Sequence, residues 1–249
     1  MLRRQTFPPF IHKHWHRSAI PEKLATCMSI AQLFASRTPE TRPFLWRTVD
    51  AEERRMREEM ENYTEHDILP AVQALIIYMI MALIDQYDGT AARGVRMIQT
   101  FQAMTIKFRE MLGSACFAES EQQRPSVSWE DWVFQESRRR LANIWFVINR
   151  VITADAQLPC PDLNAYREMP LSTGKAMWEA RSREEWETER AFFQASLLHT
   201  DMWKFRSLIE ARRQPHSPLN AAKLDAWEAE TDKMGVLMNI AVSLLDNIS

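Results

Sequence analysis

The chain has 249 residues, 26% of them charged, and a formal net charge of −2. With only 5 glycines beside 14 methionines and 9 tryptophans, the composition disfavours β-sandwiches and the glycine-rich loops that hold phosphate. No basic excess exists to hold nucleic acid, so we expect no direct DNA binding. Cys27, Cys116 and Cys160 are widely spaced, which predicts neither a zinc module nor a disulfide framework and favours an intracellular protein.

The N-terminal arm from Phe7 to His16 contains two prolines and is predicted to be extended. His12, His14 and His16 alternate along it, so an extended backbone places them on one side, where they suit a metal ion. No carboxylate or cysteine stands beside them. We therefore favour a surface arm anchored by Trp15 and expect no metal site.

Two helices are predicted after the arm. Pro21 opens the first, and its inward stripe consists of Leu24, Cys27, Met28, Ala31, Phe34 and Ala35. After a break from Thr38 to Pro43, Asp50 together with Glu53 predicts the cap of the second helix.

The third helix is predicted to form the centre of the core. Thr64 with Asp67 marks its start, and from Ala71 to Ile84 it is apolar on every side apart from Gln73 and Tyr78. Each of these two polar residues either forms a hydrogen bond in the core or points into a cavity. The apolar run is shorter than the roughly 20 residues that a membrane span needs, so we expect a soluble protein and no membrane partner.

A fourth helix is predicted to end at Gly113, with a polar loop from there to Ser128. Its inward positions follow helical spacing, and they are Val95, Ile98, Phe101, Thr105, Phe108 and Leu112.

A helix rich in tryptophan begins where Ser128 and Asp131 form a capping box. Its inward positions are large and apolar, namely Trp129, Trp132, Val133, Leu141, Ile144, Trp145, Ile148 and Val151. Glu136 and Arg139 share this face, where a carboxylate and a guanidinium must pair or lose their hydration at high cost. We therefore predict a buried ion pair between them.

The C-terminal part is also predicted to be helical. Ser182 with Glu185 caps one helix, a second is predicted from Leu197 to Arg212, and Ser217 with Pro218 opens the last one. No convincing strand occurs, so we predict an all-α fold of about eight to ten helices.

The predicted architecture is one multi-helix domain over residues 1–249. It has an extended arm at 1–20 and a helical body at 21–249 around the central apolar helix.

Three segments together resemble one known family. They are the arm from Phe7 to Trp15, the apolar helix from Ile68 to Tyr78, and the Trp-x-x-Trp-x-x-x-Glu-x-x-Arg pattern from Trp129 with its sequel Met177–Ala180. Their order resembles the regulatory, or middle homology, domain of fungal zinc binuclear-cluster transcription factors. The resemblance implies an all-α domain that modulates a regulator, sometimes by sensing a small molecule, and it implies no catalytic residues.

That family's six-cysteine zinc cluster, basic linker and coiled coil do not occur in this sequence. We therefore expect either an excised domain or a stand-alone gene product that cannot read DNA by itself.

Our first hypothesis is an enzyme of secondary metabolism, cytoplasmic, that binds an apolar terpenoid or polyketide intermediate. It is a cofactor-independent cyclase or isomerase of the pericyclase type, for example one that promotes a cycloaddition. Orientation of the substrate and hydrogen bonds to a carbonyl that gains charge supply such catalysis. The candidate catalytic residues are Tyr78, Arg139 and His199, and the candidate substrate-binding residues are Gln73, Glu136, Trp145 and Trp203.

The alternative is a nuclear regulator or co-regulator of a biosynthetic gene cluster that does not bind DNA. It predicts a transcription-factor partner and no turnover, and a homodimer fits either hypothesis. For His199, a histidine satisfied by hydrogen bonds between helices is the competing interpretation to a general base.

Overall fold

The computed structural model describes residues 7–13, 20–85, 90–112, 118–155, 166–200, 202 and 204–246. These residues form ten α-helices, one 3₁₀ helix at Met60–Asn62 and no strand. The α-helices are α1 (Glu22–Ala35), α2 (Arg42–Glu59), α3 (Glu65–Asp85), α4 (Thr90–Leu112), α5 (Trp129–Asp155), α6 (Lys175–Glu179), α7 (Arg183–Thr200), α8 (Phe205–Arg213), α9 (Pro218–Glu230) and α10 (Lys233–Asp246). The predicted all-α fold is confirmed for this part of the chain.

The described residues divide into two compact units. The first unit holds α1 to α4, and the second holds residues 9–13 of the arm together with α5 to α10. The assignment of residues 1–249 to one domain stays a prediction.

The core of the first unit is α3, which is buried at every position from Ile68 to Met79. It packs against α1 on one side and α4 on the other. Its start follows the predicted cap, because the Thr64 N–H and hydroxyl both donate to Asp67 Oδ2, at 3.0 and 2.6 Å. The predicted central apolar helix is therefore present.

By length and composition, α3 is apolar enough to cross a membrane, with a mean hydropathy of 2.1, and 78% of that stretch is buried inside the protein. The core helix of a globular unit passes the same test. The helix begins at Glu65 and is therefore longer than the apolar run predicted from Ala71 to Ile84. Its length alone does not distinguish a core helix from a membrane-spanning helix.

The predicted start of the second helix was wrong. α2 begins at Arg42, with Pro43 in its first turn, where a proline sacrifices no helical hydrogen bond. Asp50 lies inside the helix and accepts hydrogen bonds from Arg93 Nε at 2.9 Å and Arg96 Nη2 at 3.0 Å. Its role is therefore to join α2 to α4.

The predicted inward face of the fourth helix was wrong in part. Val95 is 55% exposed, whereas Met97, Phe101, Met104 and Phe108 are buried. These four form a stripe with helical spacing. The face is rotated from the prediction because Arg93 and Arg96 turn toward Asp50 on α2.

The second unit is organised around α5, which packs against α7 and α10. Its start is capped as predicted, since the Asp131 N–H donates to Ser128 Oγ at 3.1 Å. The inward positions are also largely confirmed, although Val151 is 44% exposed. One apolar cluster contains Trp132, Trp178 and Trp186, and large aromatic side chains such as these contribute much of a core's buried area.

Two predicted helices of this unit are each divided. The helix predicted from Leu197 to Arg212 is interrupted before Phe205, whose N–H donates to Met169 O at 2.9 Å while extended Lys204 pairs with Pro170. The last predicted helix is divided into α9 and α10 by extended Thr231.

Candidate functional site

Glu136 on α5 is fully buried and lies at the centre of an ion cluster. Its Oε2 accepts a hydrogen bond from Arg139 Nε at 2.8 Å, which confirms the predicted pair. Its Oε1 accepts from Arg140 Nε and from the Thr173 N–H, each at 2.8 Å. Sequence reasoning missed Arg140, although its spacing of four residues from Glu136 was the available signal.

Arg140 joins four segments of the second unit. Its Nη1 donates to Pro9 O of the arm at 2.9 Å and to Asp232 Oδ2 before α10 at 2.6 Å. Its Nη2 donates to Thr173 O at 3.2 Å. The guanidinium also lies over the Trp178 ring, 4.0 Å from its centre, which is close enough for a cation–π interaction.

Arg139 reaches in the opposite direction, toward the loop before α5. Its Nη1 donates to Glu119 O at 2.7 Å, and its Nη2 lies 3.7 Å from Glu121 Oε2. Buried Glu121 also pairs with Arg190 Nη2 at 2.8 Å and accepts the Ser126 N–H at 2.9 Å. Glu121 lies before α5 begins, so helical spacing could not predict its contact with Arg139.

Charge is balanced within the cluster. Three guanidiniums face three carboxylates, and they are Arg139, Arg140 and Arg190 with Glu121, Glu136 and Asp232. Buried charges persist only when they are paired in this way, because an uncompensated one would lose its hydration without replacement.

A small cavity adjoins the cluster. Its volume is about 20 Å³, which is room for roughly one water-sized group. Its polar lining residues include Arg139, Thr173, Glu121 and Glu230, and its apolar ones include Leu171, Met202 and Trp227. Among the residues that the structure describes, Arg139 Nη2 and Thr173 Oγ1 are buried without a hydrogen-bond partner.

A larger cleft of about 390 Å³ shares three lining residues with this cavity, namely Gly174, Phe193 and Glu230. Its walls combine aromatic Phe192 and Phe193 with charged groups, which are Lys175, Glu179, Glu189 and Glu230. This volume lies within the range of small-molecule sites. Gly174 stands at the junction, where an added Cβ would contact Glu230 O at 3.5 Å.

The arm contributes a buried histidine to the second unit. The His12 ring meets the rings of Trp129, Trp132 and Trp178 edge to face, with centroids 5.9, 6.4 and 4.8 Å apart. The predicted surface arm is therefore wrong at this point, because Phe10, Ile11 and His12 are buried in the core of the second unit. The expectation of no metal site stays untested, because His14 and His16 lie outside the described residues, as does Trp15, the predicted anchor.

Two candidate residues lie in the first unit. Gln73 and Tyr78 are both buried on α3. Burial raises the pKa of Tyr78, with the neighbouring Cys27 adding to the effect, so the phenol stays protonated. A protonated phenol can donate a hydrogen bond, but Tyr78 and Arg139 belong to different units.

The remaining candidates are placed only in part. Trp145 is half-buried on α5 and lines neither the cavity nor the cleft. The backbone of His199 belongs to α7, while its side chain, like the whole of Trp203, lies outside the described residues. Within the described part, the predicted residues that the structure brings together are Glu136 and Arg139.

Comparison of the chain with protein-family models, with curated protein sequences and with solved structures found no match.

Proposed function

We propose that the second unit binds an apolar small molecule in the cleft, with one polar end of the ligand directed toward Arg139. On this proposal the protein is a cofactor-independent cyclase or isomerase that acts on an apolar terpenoid or polyketide intermediate.

The observation that carries the proposal is a pair of unsatisfied donors on two residues that line the cavity. Arg139 Nη2 and Thr173 Oγ1 are both buried and lack a hydrogen-bond partner among the described residues. A buried polar group without a partner costs free energy, about 1–3 kcal/mol for each. A ligand oxygen that enters the cavity would recover that cost, which supports a binding role for this position.

The volumes of the cavity and the cleft indicate a ligand with a small polar group and a larger apolar body. The cavity of about 20 Å³ accommodates a single polar group, whereas the cleft of about 390 Å³ accommodates an apolar body. Phe192 and Phe193 provide the aromatic surface on which such a body would pack.

The chemistry available at this position is hydrogen-bond donation. Arg139 is held rigidly by Glu136 and the Glu119 carbonyl, so its free N–H is fixed before a ligand arrives. Donors fixed in advance stabilise an oxygen that gains negative charge in a transition state. A cyclisation or isomerisation next to a carbonyl needs this type of help, together with orientation in the cleft.

The experiment is a comparison of wild type with Thr173→Val. Protein purified from its producing host is studied by native mass spectrometry, and the extracted ligand is then incubated with fresh protein. Thr173→Val removes an unsatisfied hydroxyl and keeps the side-chain shape, so we expect unchanged or slightly higher thermal stability with weaker ligand retention. Thr188→Val is the matched control, because Thr188 is exposed and lines neither cavity nor cleft.

Three outcomes separate the hypotheses. A ligand that is chemically altered on incubation, and lost in Thr173→Val alone, supports the enzyme. A ligand that returns unchanged supports a sensor and removes the catalytic part of the proposal. Protein that carries another polypeptide and no small molecule contradicts the proposal in favour of co-regulation.

A further inference from the structure

We infer that the ligand group that enters the cavity is a neutral carbonyl oxygen and not an anion. This inference rests on the proposed function, because it concerns the same cavity, and it narrows the class of ligand that the cleft accepts.

The unsatisfied donors of two lining residues define the first requirement. Arg139 Nη2 has hydrogens to donate and no lone pair, and the Thr173 hydroxyl can donate beside it. The ligand group must therefore be an acceptor. Carbonyl oxygens, carboxylates and phosphates all meet this requirement, so donor chemistry alone does not decide between them.

The charge of the cluster makes the decision. Arg139 is 1% exposed and already compensated, since its Nε bonds to Glu136 and its Nη2 lies 3.7 Å from Glu121 Oε2. An anion at Nη2 would place a further negative charge beside the Glu121 carboxylate. Two neighbouring negative charges repel each other strongly where water is excluded.

The cleft adds a second electrostatic argument. Among the described residues, three carboxylates line it, from Glu179, Glu189 and Glu230, against one ammonium, that of Lys175. Lining groups of one predominant sign lower the local concentration of ligands with the same sign. An anionic ligand is therefore repelled both by the carboxylates of the cleft and by Glu121 at the cavity. A neutral ketone, ester or lactone experiences neither repulsion.

A cation is disfavoured by the same geometry. A cation that enters the cavity would stand beside the Arg139 guanidinium, which carries a charge of the same sign and lines the cavity. The small cavity volume also requires that the carbonyl stand at an end or edge of the ligand. An apolar molecule with one accessible carbonyl is the class that fits.

The test uses matched probe pairs in which a methyl group replaces one carboxylate oxygen. The pairs are methyl naphthyl ketone with naphthoate, and methyl nonyl ketone with decanoate. Binding to the full chain is measured by isothermal titration at neutral pH. We expect each ketone to bind about tenfold or more tightly than its carboxylate, and Thr173→Val to weaken ketone binding several-fold.

Charge variants make the inference specific. Glu121→Gln removes one carboxylate beside Arg139 and is expected to narrow the preference for ketones by strengthening carboxylate binding about tenfold. Glu230 is exposed and lines both the cavity and the cleft. If Glu121→Gln fails to fold, Glu230→Gln provides the same test, with a smaller expected gain in carboxylate binding.

The outcomes distinguish this inference from the proposed function. Carboxylates that bind as tightly as ketones, with binding still dependent on Thr173, would overturn the inference and leave the site intact. If neither member of any pair binds, or if Thr173→Val changes nothing, the proposed site itself is wrong.

Discussion

The central carbon of the Arg140 guanidinium lies 4.0 Å from the centre of the Trp178 ring, while its nitrogens donate hydrogen bonds to Glu136 and Asp232. One side chain thus combines cation–π contact with two buried ion pairs. Arg140 also holds the arm through the Pro9 carbonyl.

Replacing Arg140 with Met should strongly destabilise the protein. The change removes the partner of Asp232 and one partner of Glu136, and leaving buried charge uncompensated costs about 3–5 kcal/mol. Urea denaturation measures the loss in free energy of unfolding. Arg183→Met is the control, because the exposed Arg183–Glu187 pair contributes only about 0.5 kcal/mol or less. Equal effects of the two changes would contradict the importance assigned to Arg140.

Two glycines in helices should respond to alanine in opposite directions. At Gly235 an added Cβ would lie 2.6 Å from Thr231 Cβ, so Gly235→Ala should cost about 1–3 kcal/mol through overpacking. At Gly94 nothing lies within 4 Å of the added Cβ, so Gly94→Ala should stabilise α4 by about 0.5–1 kcal/mol. Thermal melts of both variants test the pair, and a stabilising Gly235→Ala would contradict the close approach.

Asp85 should make part of the stability dependent on pH. Burial raises the pKa of its carboxyl, but hydrogen bonds from the Trp46 indole and Arg37 outweigh burial and lower it below the usual 3.8. A carboxyl whose folded pKa is depressed stabilises the fold above its unfolded pKa, and this contribution is lost as pH falls through the folded pKa.

The variant Asp85→Asn isolates this effect. At neutral pH we expect it to lose about 1.5–3 kcal/mol, the range for a hydrogen bond to a charged group. The difference from wild type should shrink as the pH falls below 3.8. Urea denaturation over a pH series measures it, and a difference that stays constant with pH would contradict the assignment.

Cys27 should be inert in the folded protein. Burial raises the pKa of its thiol to about 12, so almost none is present as the reactive thiolate at pH 8. We expect iodoacetamide to leave Cys27 unmodified in native protein and to alkylate it fully in denaturant. Peptide mass spectrometry after each treatment provides the measurement. Rapid alkylation of native protein would show that α1 opens more readily than its packing implies.

The starts of several helices could be predicted because their signals are local. Ser128 with Asp131 and Ser182 with Glu185 each lie three residues apart, and each serine hydroxyl accepts the later N–H at 3.1 and 3.3 Å. The Glu136–Arg139 pair has the same short spacing. Such contacts form within one helical turn, so residue spacing alone is enough to predict them.

By itself the sequence determined the helical fold class, the central apolar helix and one ion pair of the cluster, Glu136 with Arg139, since these follow from helical periodicity and near neighbours. Tertiary structure decided where two C-terminal helices are divided, because Asp232 is held by Arg140, 92 residues away, and Phe205 is held by Met169. It also decided the cavity. Thr173 meets Glu136 across 37 residues of chain, and a contact of that separation has no periodicity in the sequence, so only the folded packing brings its two sides together.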